Sequence, residues 1–537
     1  MTHESSSEPK PGAMPVQTML DTALTWHGQG RLQEAEELYR QILAADPNHA
    51  DSLHLLGMIA FQSDDCETAA TLIRRAIAIN PRAASYHSNL GNVLRQQGHA
   101  RDAAASYLQA LRIRPDLAEV HVNLGNIFLA AKNPDAAVTW YERAIELNPS
   151  LPEAHKNHGD ALLVQRNLEQ AIAAYDRALA LRPEYMEAMT ELATVLRATG
   201  DLDRSLLYLR RLREIYPEHP TAVFREALIY LLQGEFAAGW RCYEQRWGTA
   251  DHATPMREIP QPLWRGEHLA AGRVLLWPEQ GVGDEIMFAG LIPDAMRTGS
   301  HFVLECDRRL QPLFARSFPE IEVITDRNAA GDPNCQIEAH LPIASLPSLF
   351  RREMGSFAAT VSPYLKPDPV KLEQLRLRYG DGRRLMGVSW YSNNEKTGAL
   401  RSIDLSHWIP LLKCPEFRCV SLQYGDHEAL RDQAMAAQAT VLLDANVDQM
   451  VNMDDFAAQV AAMDLVVTID NTTAHMAGAL GVPVWVLVPF SPDWRWMAEG
   501  HTSPWYPTMR IFRQTRRDDW DSVMEQVVDA LSCKREE

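Results

Sequence analysis

From residue 16 to about residue 249 the chain repeats one arrangement of small, aromatic and helix-ending positions every 34 residues. Prolines stand at 47, 81, 115, 149, 183 and 217, each closing a short apolar-periodic phrase: AADP, AINP, RIRP, ELNP, ALRP and EIYP. In that register Gly57, Gly91, Gly125 and Gly159 form one column. Ala69, Ala103, Ala137 and Ala171 form a second, and Tyr39, Tyr107, Tyr141 and Tyr175 a third. The pattern predicts antiparallel helix pairs. Gly and Ala let the two helices approach closely, the aromatic fills the gap to the next repeat, and Pro ends the second helix. A seventh, irregular copy keeps Ala237 but ends in Trp240, Tyr243 and Trp247, which suits a cap that docks the array onto the next domain.

From about residue 271 the periodicity changes. Short apolar runs (RVLLW, HFVLEC, IEVIT, then LMGVSW, FRCVSLQ, TVLL, LVVTID, VPVWVLV) alternate with amphipathic stretches. Strand–helix alternation implies parallel sheets that bind ligands at the carboxyl ends of their strands. The expected fold class is α followed by α/β, a helical superhelix and then two Rossmann-like lobes. The expected boundaries are a disordered start at 1–15, repeats at 16–249, a linker at 250–270 and a first lobe at 271–366. An interlobe linker comes next at 367–382, then a second lobe at 383–514 and a final helix at 515–537 that packs back across the lobes.

The 34-residue pattern is that of tetratricopeptide repeats. Such arrays bind extended segments in a concave groove, where Asn89, Asn123 and Asn157 recur 34 apart. Their amides could hydrogen-bond a peptide backbone of any sequence, which resembles the asparagine ladder of O-GlcNAc transferase. They could equally be tolerated polar residues on a solvated face.

Composition narrows the field. The 537 residues carry 52 Lys+Arg against 70 Asp+Glu, a net charge of −18, and no basic stripe with interleaved aromatics, so nucleic acid is not an expected partner. The start lacks a signal-peptide pattern, no apolar run is long enough to span a bilayer, and the seven cysteines form no CxxC pair. A cytoplasmic protein without transmembrane segment, disulfide framework or zinc site is expected.

Candidate chemistry sits on two loops. The stretch WPEQGVGDEIMF reads strand, glycine loop, helix, with Gln280, Gly281 and Gly283 in the loop. Such loops usually hold phosphate, but Asp284 and Glu285 would repel it. The phrase LVVTIDNTTAHMAGALGVPVWVLV places Asp470 at a strand end. Asn471, Thr472 and Thr473 then stand at a helix start and His475 in its first turn. That helix start offers N–H groups, hydroxyls and partial positive charge for a diphosphate, or is an ordinary βαβ turn with a Thr N-cap. Lys396 and Arg401 lie on a loop after LMGVSW. Arg401 could fork onto phosphate oxygens or be a solvated surface residue. With phosphate on the second lobe, the first glycine loop faces the acceptor. There Asp284 can take a proton from an attacking hydroxyl, with Glu285 as the fallback; alternatively Asp284 only caps its helix. Trp494, Arg495 and Trp496 in SPDWRW stand near a strand's carboxyl end and could stack a base or sugar, or form a packing seam, which is the expected role.

Taken together, PEQGVGDEIMF, ALRSIDL, DLVVTIDNTTAHMAGALGVPVW and PDWRW…SPWYPTMRIFRQ resemble a bacterial family. Its members join tetratricopeptide repeats to a region like the ADP-heptose–lipopolysaccharide heptosyltransferases, glycosyltransferase family 9. The resemblance implies a GT-B fold, inversion at the anomeric carbon, no metal and no cofactor beyond a nucleotide-sugar donor. It places the base on Asp284, the diphosphate site on Asp470 to His475 and the phosphate-binding cation on Arg401. The family phrase Asp-Thr-Gly reads Asp470-Asn471-Thr472 here, so a side chain replaces a glycine. The heptose-specific surroundings are absent, and ADP-heptose is not carried over. The expected function is transfer of a sugar to a hydroxyl of an acceptor, expected to be a protein, recruited by the repeats. The alternative is an interaction scaffold whose α/β region has lost turnover. A dinucleotide-dependent oxidoreductase fits poorly because GVGDEI is not GxGxxG, and a P-loop NTPase lacks its Gly-Lys-Ser/Thr.

Overall fold

The computed structural model describes residues 14–249, 252, 254–325, 335–394, 397–425, 432, 434–438 and 440–533. The expected disordered start lies almost wholly, and Lys396 wholly, outside the described residues. The chain forms two compact units, Met1–Val195 and Leu196–Glu537. The division falls inside the helical array rather than at its end.

In the first unit helix pairs keep the 34-residue register. The second helices (Leu32–Ala45, Cys66–Ile79, Ala100–Ile113, Pro134–Leu147, Leu168–Leu181) each stop two residues before the phrase-ending proline, because proline disfavours helical geometry in the residue preceding it. Ala69, Ala103, Ala137 and Ala171 are fully buried, as are the four tyrosines. The tyrosine acts within its own repeat rather than toward the next: a methyl group at Gly159 would stand 2.7 Å from the Tyr175 ring. Glycine makes room for the ring, and the hydroxyl then reaches the side chain of the very next residue after the glycine. Tyr107 donates to Asn92 Oδ1 and Tyr141 to Asn126 Oδ1, both at 2.7 Å, and Tyr175 donates to Asp160 Oδ1 at 2.9 Å. A second polar column supports the turns. His87, His121 and His155 each donate Nε2–H to the carbonyl of the proline six residues earlier, at 3.0–3.1 Å.

The second unit begins with the last helices of the array (Leu202–Ile215, Pro220–Gln233, Phe236–Tyr243) and a 3-10 turn, Glu244–Gly248. These share one apolar core with the α/β region. Trp240 donates Nε1–H to Arg351 O at 2.8 Å and packs edge-on against Trp494. The expected linker is partly structured: Trp264 N–H bonds His340 O and His340 N–H bonds Pro262 O, beside the strand Ile337–Pro342.

Two parallel sheets complete the unit. The first has the order β3-β2-β1-β4, from β1 (Arg273–Trp277), β2 (His301–Glu305), β3 (Glu322–Ile324) and β4 (Ile337–Pro342). The second has the order β6-β5-β7-β8-β9, from β5 (Arg384–Ser389), β6 (Phe417–Ser421), β7 (Leu465–Ile469), β8 (Val484–Val488) and β9 (Met509–Arg513). β7 and β8 are buried at every residue, which is why they read as unbroken apolar runs. Among the described residues the run TVLL makes only an isolated bridge, Leu442 to Val420. The final helix, Trp520–Cys533, packs with Trp408, Trp485 and Phe512 on the second sheet and not back across both lobes. Its apolar stripe covers a single layer. Strand order reverses beside β1 in the first sheet and between β5 and β7 in the second. Those reversals are where α/β sheets open a crevice for ligands.

Candidate functional site

Both crevices carry the residues singled out by sequence. The chain leaves β1 through Pro278 and Glu279 and turns at Gln280 and Gly281 into the helix Val282–Ala289, with Gly281 at its N-cap. At the end of β7 it turns at Asp470 and Asn471 into the helix Thr472–Ala479. The two helix starts meet. A methyl group at Gly283 would lie 3.3 Å from His475 Cδ2 and 3.4 Å from Thr472 Oγ1. A side chain there would crowd the other helix start, whereas a methyl group at Gly281 would meet nothing within 4 Å.

Asp284 occupies the third helical position and is not an N-cap. Its Oδ1 accepts from Arg495 Nε at 2.9 Å and also from Arg495 Nη2. Burial pushes its carboxyl up, and Arg495 opposes that only in part. Glu285 points the other way. It is buried, accepts Asp307 N–H at 2.9 Å, and burial raises its pKa to about 7. It therefore serves the strand-β2 loop rather than the crevice. Gln280 ties the glycine loop to the last repeat, donating to Tyr243 OH at 3.1 Å, and its Oε1 accepts from Arg495 at 3.3 Å. Glu279, almost fully buried, holds the buried Arg246 at 2.9 Å through Oε1 and Nη2.

On the second lobe Asp470 is buried, and burial lifts its pKa to about 7 against the pull of Arg401. Arg401 donates Nη1–H to Asp470 O at 2.8 Å and lies 3.7 Å from Asp470 Oδ2. Among the described residues Asp470 Oδ1 and Arg401 Nε are buried without a partner. An acceptor and a donor are thus left open at the strand end, next to the helix start. Asn471 is the N-cap: its Oδ1 accepts Thr473 N–H at 3.0 Å and its Nδ2 donates to Ser389 Oγ at 2.8 Å. Ala474 N–H bonds Asn471 O. The cap therefore uses N–H groups that a phosphate would otherwise take. Thr472 is half-buried and Thr473 buried. His475 is buried, stacks on Trp496 at 5.1 Å and shares a hydrogen bond of 2.9 Å with Tyr506 through Nδ1. Burial, reinforced by Arg495, lowers its pKa to about 3, so the ring is neutral.

Trp494 and Trp496 are both buried and serve as packing. Arg495 between them is given no role of its own by the SPDWRW phrase, yet it faces Asp284. In the first unit the Asn ladder is partly spent on the array. Asn123 Nδ2 donates to Asn92 Oδ1 at 3.1 Å, Asn157 Nδ2 to Asn126 Oδ1 at 2.9 Å, and Asn89 Nδ2 bonds His54 Nε2 at 2.8 Å. The three remain half-buried, so each retains part of its bonding capacity. Among the described residues no group of three or more His, Cys, Asp and Glu is placed to hold a metal ion, and no helix is long and apolar enough to cross a membrane.

Comparison with known proteins identifies the helical array. Tetratricopeptide repeat models match residues 27–91, 88–152, 156–220 and 191–239. Protein FlbA of Caulobacter vibrioides is 32% identical over 330 residues, covering 57% of this chain and 54% of FlbA. This chain thus spans about half of that relative's length. The covered share exceeds what the residues up to 249 supply, so the match runs into the α/β region. Among solved structures, Pseudomonas aeruginosa PilF is 23% identical with a TM-score of 0.36, covering 38% of this chain and 94% of PilF. MamA of Desulfovibrio magneticus is 18% identical with a TM-score of 0.30, covering 32% of this chain and 96% of MamA. The N-terminal region is a tetratricopeptide array, a class of interaction module, joined to parallel-sheet α/β structure.

Proposed function

We propose that the chain is an inverting, metal-independent glycosyltransferase with two GT-B-like lobes, acting on a hydroxyl acceptor that the repeats recruit, a protein. Asp284 takes the proton of the acceptor hydroxyl as its oxygen attacks the anomeric carbon of a nucleotide sugar. The new C–O bond forms on the face opposite the bond that breaks. The bonding electron pair leaves with the nucleoside diphosphate, whose charge the helix start at Thr472–Thr473 and Arg401 stabilise. The observation that carries this reading is the contact at Gly283, where the acid-bearing loop of one lobe lies against the helix start of the other. The heptosyltransferase-like motif order and the unpartnered Asp470 Oδ1 and Arg401 Nε beside that contact support it as well.

A second reading, an interaction scaffold without turnover, draws on Asn471, whose side chain occupies a helix-start N–H. Thermal-shift binding separates the two. Wild type and Arg401→Ala are screened, without metal, against nucleoside diphosphates and nucleotide sugars. The glycosyltransferase reading expects a selective rise in Tm that shrinks in the variant. A flat response across the whole panel favours the scaffold.

A further inference from the structure

The glycosyltransferase reading gives Asp284 the proton, but its environment poses a difficulty. A carboxylate wedged between two lobes tends to hold a proton rather than accept one. The segment Asp493–Met497 supplies the counterweight. Arg495 places Nε and Nη2 on the single oxygen Asp284 Oδ1. Its remaining nitrogen, Nη1, donates to Asp493 Oδ1 at 2.7 Å, and the guanidinium lies 4.5 Å from the centre of the Trp494 ring. The group is held on every side and cannot drift. Oδ2 of Asp284 receives no side-chain donor among the described residues. The carboxylate also meets the Gly281 N–H, as a residue at the third helical position does.

The backbone behind the arginine is over-determined too. Met497 has φ 61° and ψ 160°, a region that side chains other than glycine avoid. Arg513 holds it there by donating to Met497 O at 2.9 Å and Gly500 O at 2.7 Å, and Ala498 N–H bonds Leu232 O at 2.7 Å. Such strain persists only where surrounding structure enforces it, and here it fixes the residue two places from Arg495.

We propose that Arg495 is the positioning residue of the base: it pins Asp284 Oδ1 and thereby turns Oδ2 to the acceptor hydroxyl. The proposal rests on the glycosyltransferase reading for the identity of the proton donor, but its main consequence is measurable without turnover. Removing the guanidinium leaves burial unopposed and raises the Asp284 pKa further, so the base is neutralised at higher pH. The other charged or titratable groups near it are Asp493 in the same turn, His475 and Tyr506 on the second lobe, Tyr243 on the last repeat and Glu285 on its own helix. His475 stays neutral through this range and the tyrosine hydroxyls are raised, leaving Glu285 as the group that overlaps in pH.

The test uses the full chain and infrared difference spectra. Subtracting Asp284→Asn from wild type gives the Asp284 carboxyl, and repeating the subtraction in a Glu285→Gln background removes the change that the Asp284 charge imposes on Glu285. The same subtraction is made in Arg495→Met and Arg495→Lys backgrounds. The expected result is an upward move of the Asp284 midpoint by about one pH unit or more in Arg495→Met, a tenfold change in proton affinity, with partial restoration in Arg495→Lys. An unchanged midpoint in folded Arg495→Met overturns the proposal. Should that variant not fold, Arg495→Gln, which also removes the charge, is judged by the same criterion. With a turned-over nucleotide sugar in hand, the acid limb of kcat must move with the infrared midpoint, and a limb that stays put overturns the proposal as well. A wild type that turns over no donor defeats the glycosyltransferase reading, while the infrared midpoint still decides whether Arg495 governs Asp284.

Discussion

Asp470 shows how one residue can record the site in the stability of the protein. Its carboxyl is buried at the end of β7 with Oδ1 unpartnered, and its pKa stands at about 7, against about 3.9 in an unfolded chain. The folded state therefore keeps a proton that the unfolded state has released. Its contribution is fully present below the unfolded pKa and is lost as pH rises through about 7. Asp470→Asn has no proton to lose. The variant should gain stability relative to wild type between pH 4 and about 7 and then plateau, as read by denaturant midpoints across that range. A pH-independent difference would place the charge in contact with solvent or a partner. His475 acts with the opposite sign, since its folded pKa of about 3 makes wild type lose stability as pH falls below about 6.5. At this scale the sequence revealed residue types at a strand end. It did not reveal the contact of Arg495 with Asp284, because two flanking tryptophans mark a packing seam and nothing local says which way the residue between them points. The bonding of the Asn ladder was likewise hidden, although the column at Asn92, Asn126 and Asp160 shares the 34-residue spacing and could have suggested it.

Elements were legible where one force dominated them. Proline spacing marked the repeat helices, and the buried strands β7 and β8 declared themselves as valine-rich runs. Strands β4 and β9 escaped because Glu338, His340 and Arg510 interrupt their apolar character. β4 gains its place from pairing with β1 and β9 from pairing with β8, which are non-local facts. TVLL failed in the other direction, an apolar run with only one bridge. The glycine loop was read correctly as strand, turn and helix, but its two glycines looked equivalent and are not. Gly283 lies against His475 and Thr472, while Gly281 faces open space. Gly283→Val should therefore cost about 1–3 kcal/mol by overpacking. Gly281→Ala should stay within about 0.5 kcal/mol. Urea unfolding of the two variants checks this, and equal costs would mean that the loops do not meet in solution.

At the scale of the molecule, the repeat period suggests a boundary near residue 249, but packing draws it elsewhere. The last repeats belong to the unit that starts at Leu196, and the reason is chemical. Arg246 has no exposed side-chain surface and Glu279 has 1%, and such a pair is costly to break because either partner alone is an uncompensated buried charge. Glu279 immediately precedes the glycine loop, and Tyr243 bonds Gln280 within it. Trp240 fills the same core from the repeat side. The cap is thus part of the α/β body. A fragment starting at Gly200, in the turn before Leu202–Ile215, keeps all of these contacts and should unfold in one cooperative transition. A fragment starting at residue 250 loses Trp240, Tyr243 and Arg246 together, exposing the apolar surface that they cover. It should bind a hydrophobic dye and lack a sharp thermal transition. Comparable cooperativity in the shorter fragment would show that the cap only rests on the lobe. Within the full chain, Arg246→Met should cost about 3–5 kcal/mol, and adding Glu279→Gln should recover much of the loss, because the second change removes the stranded charge instead of a further contact. Failure of that recovery would shift the explanation from charge to the cation–π stacking of Arg246 on Trp247, at 4.2 Å.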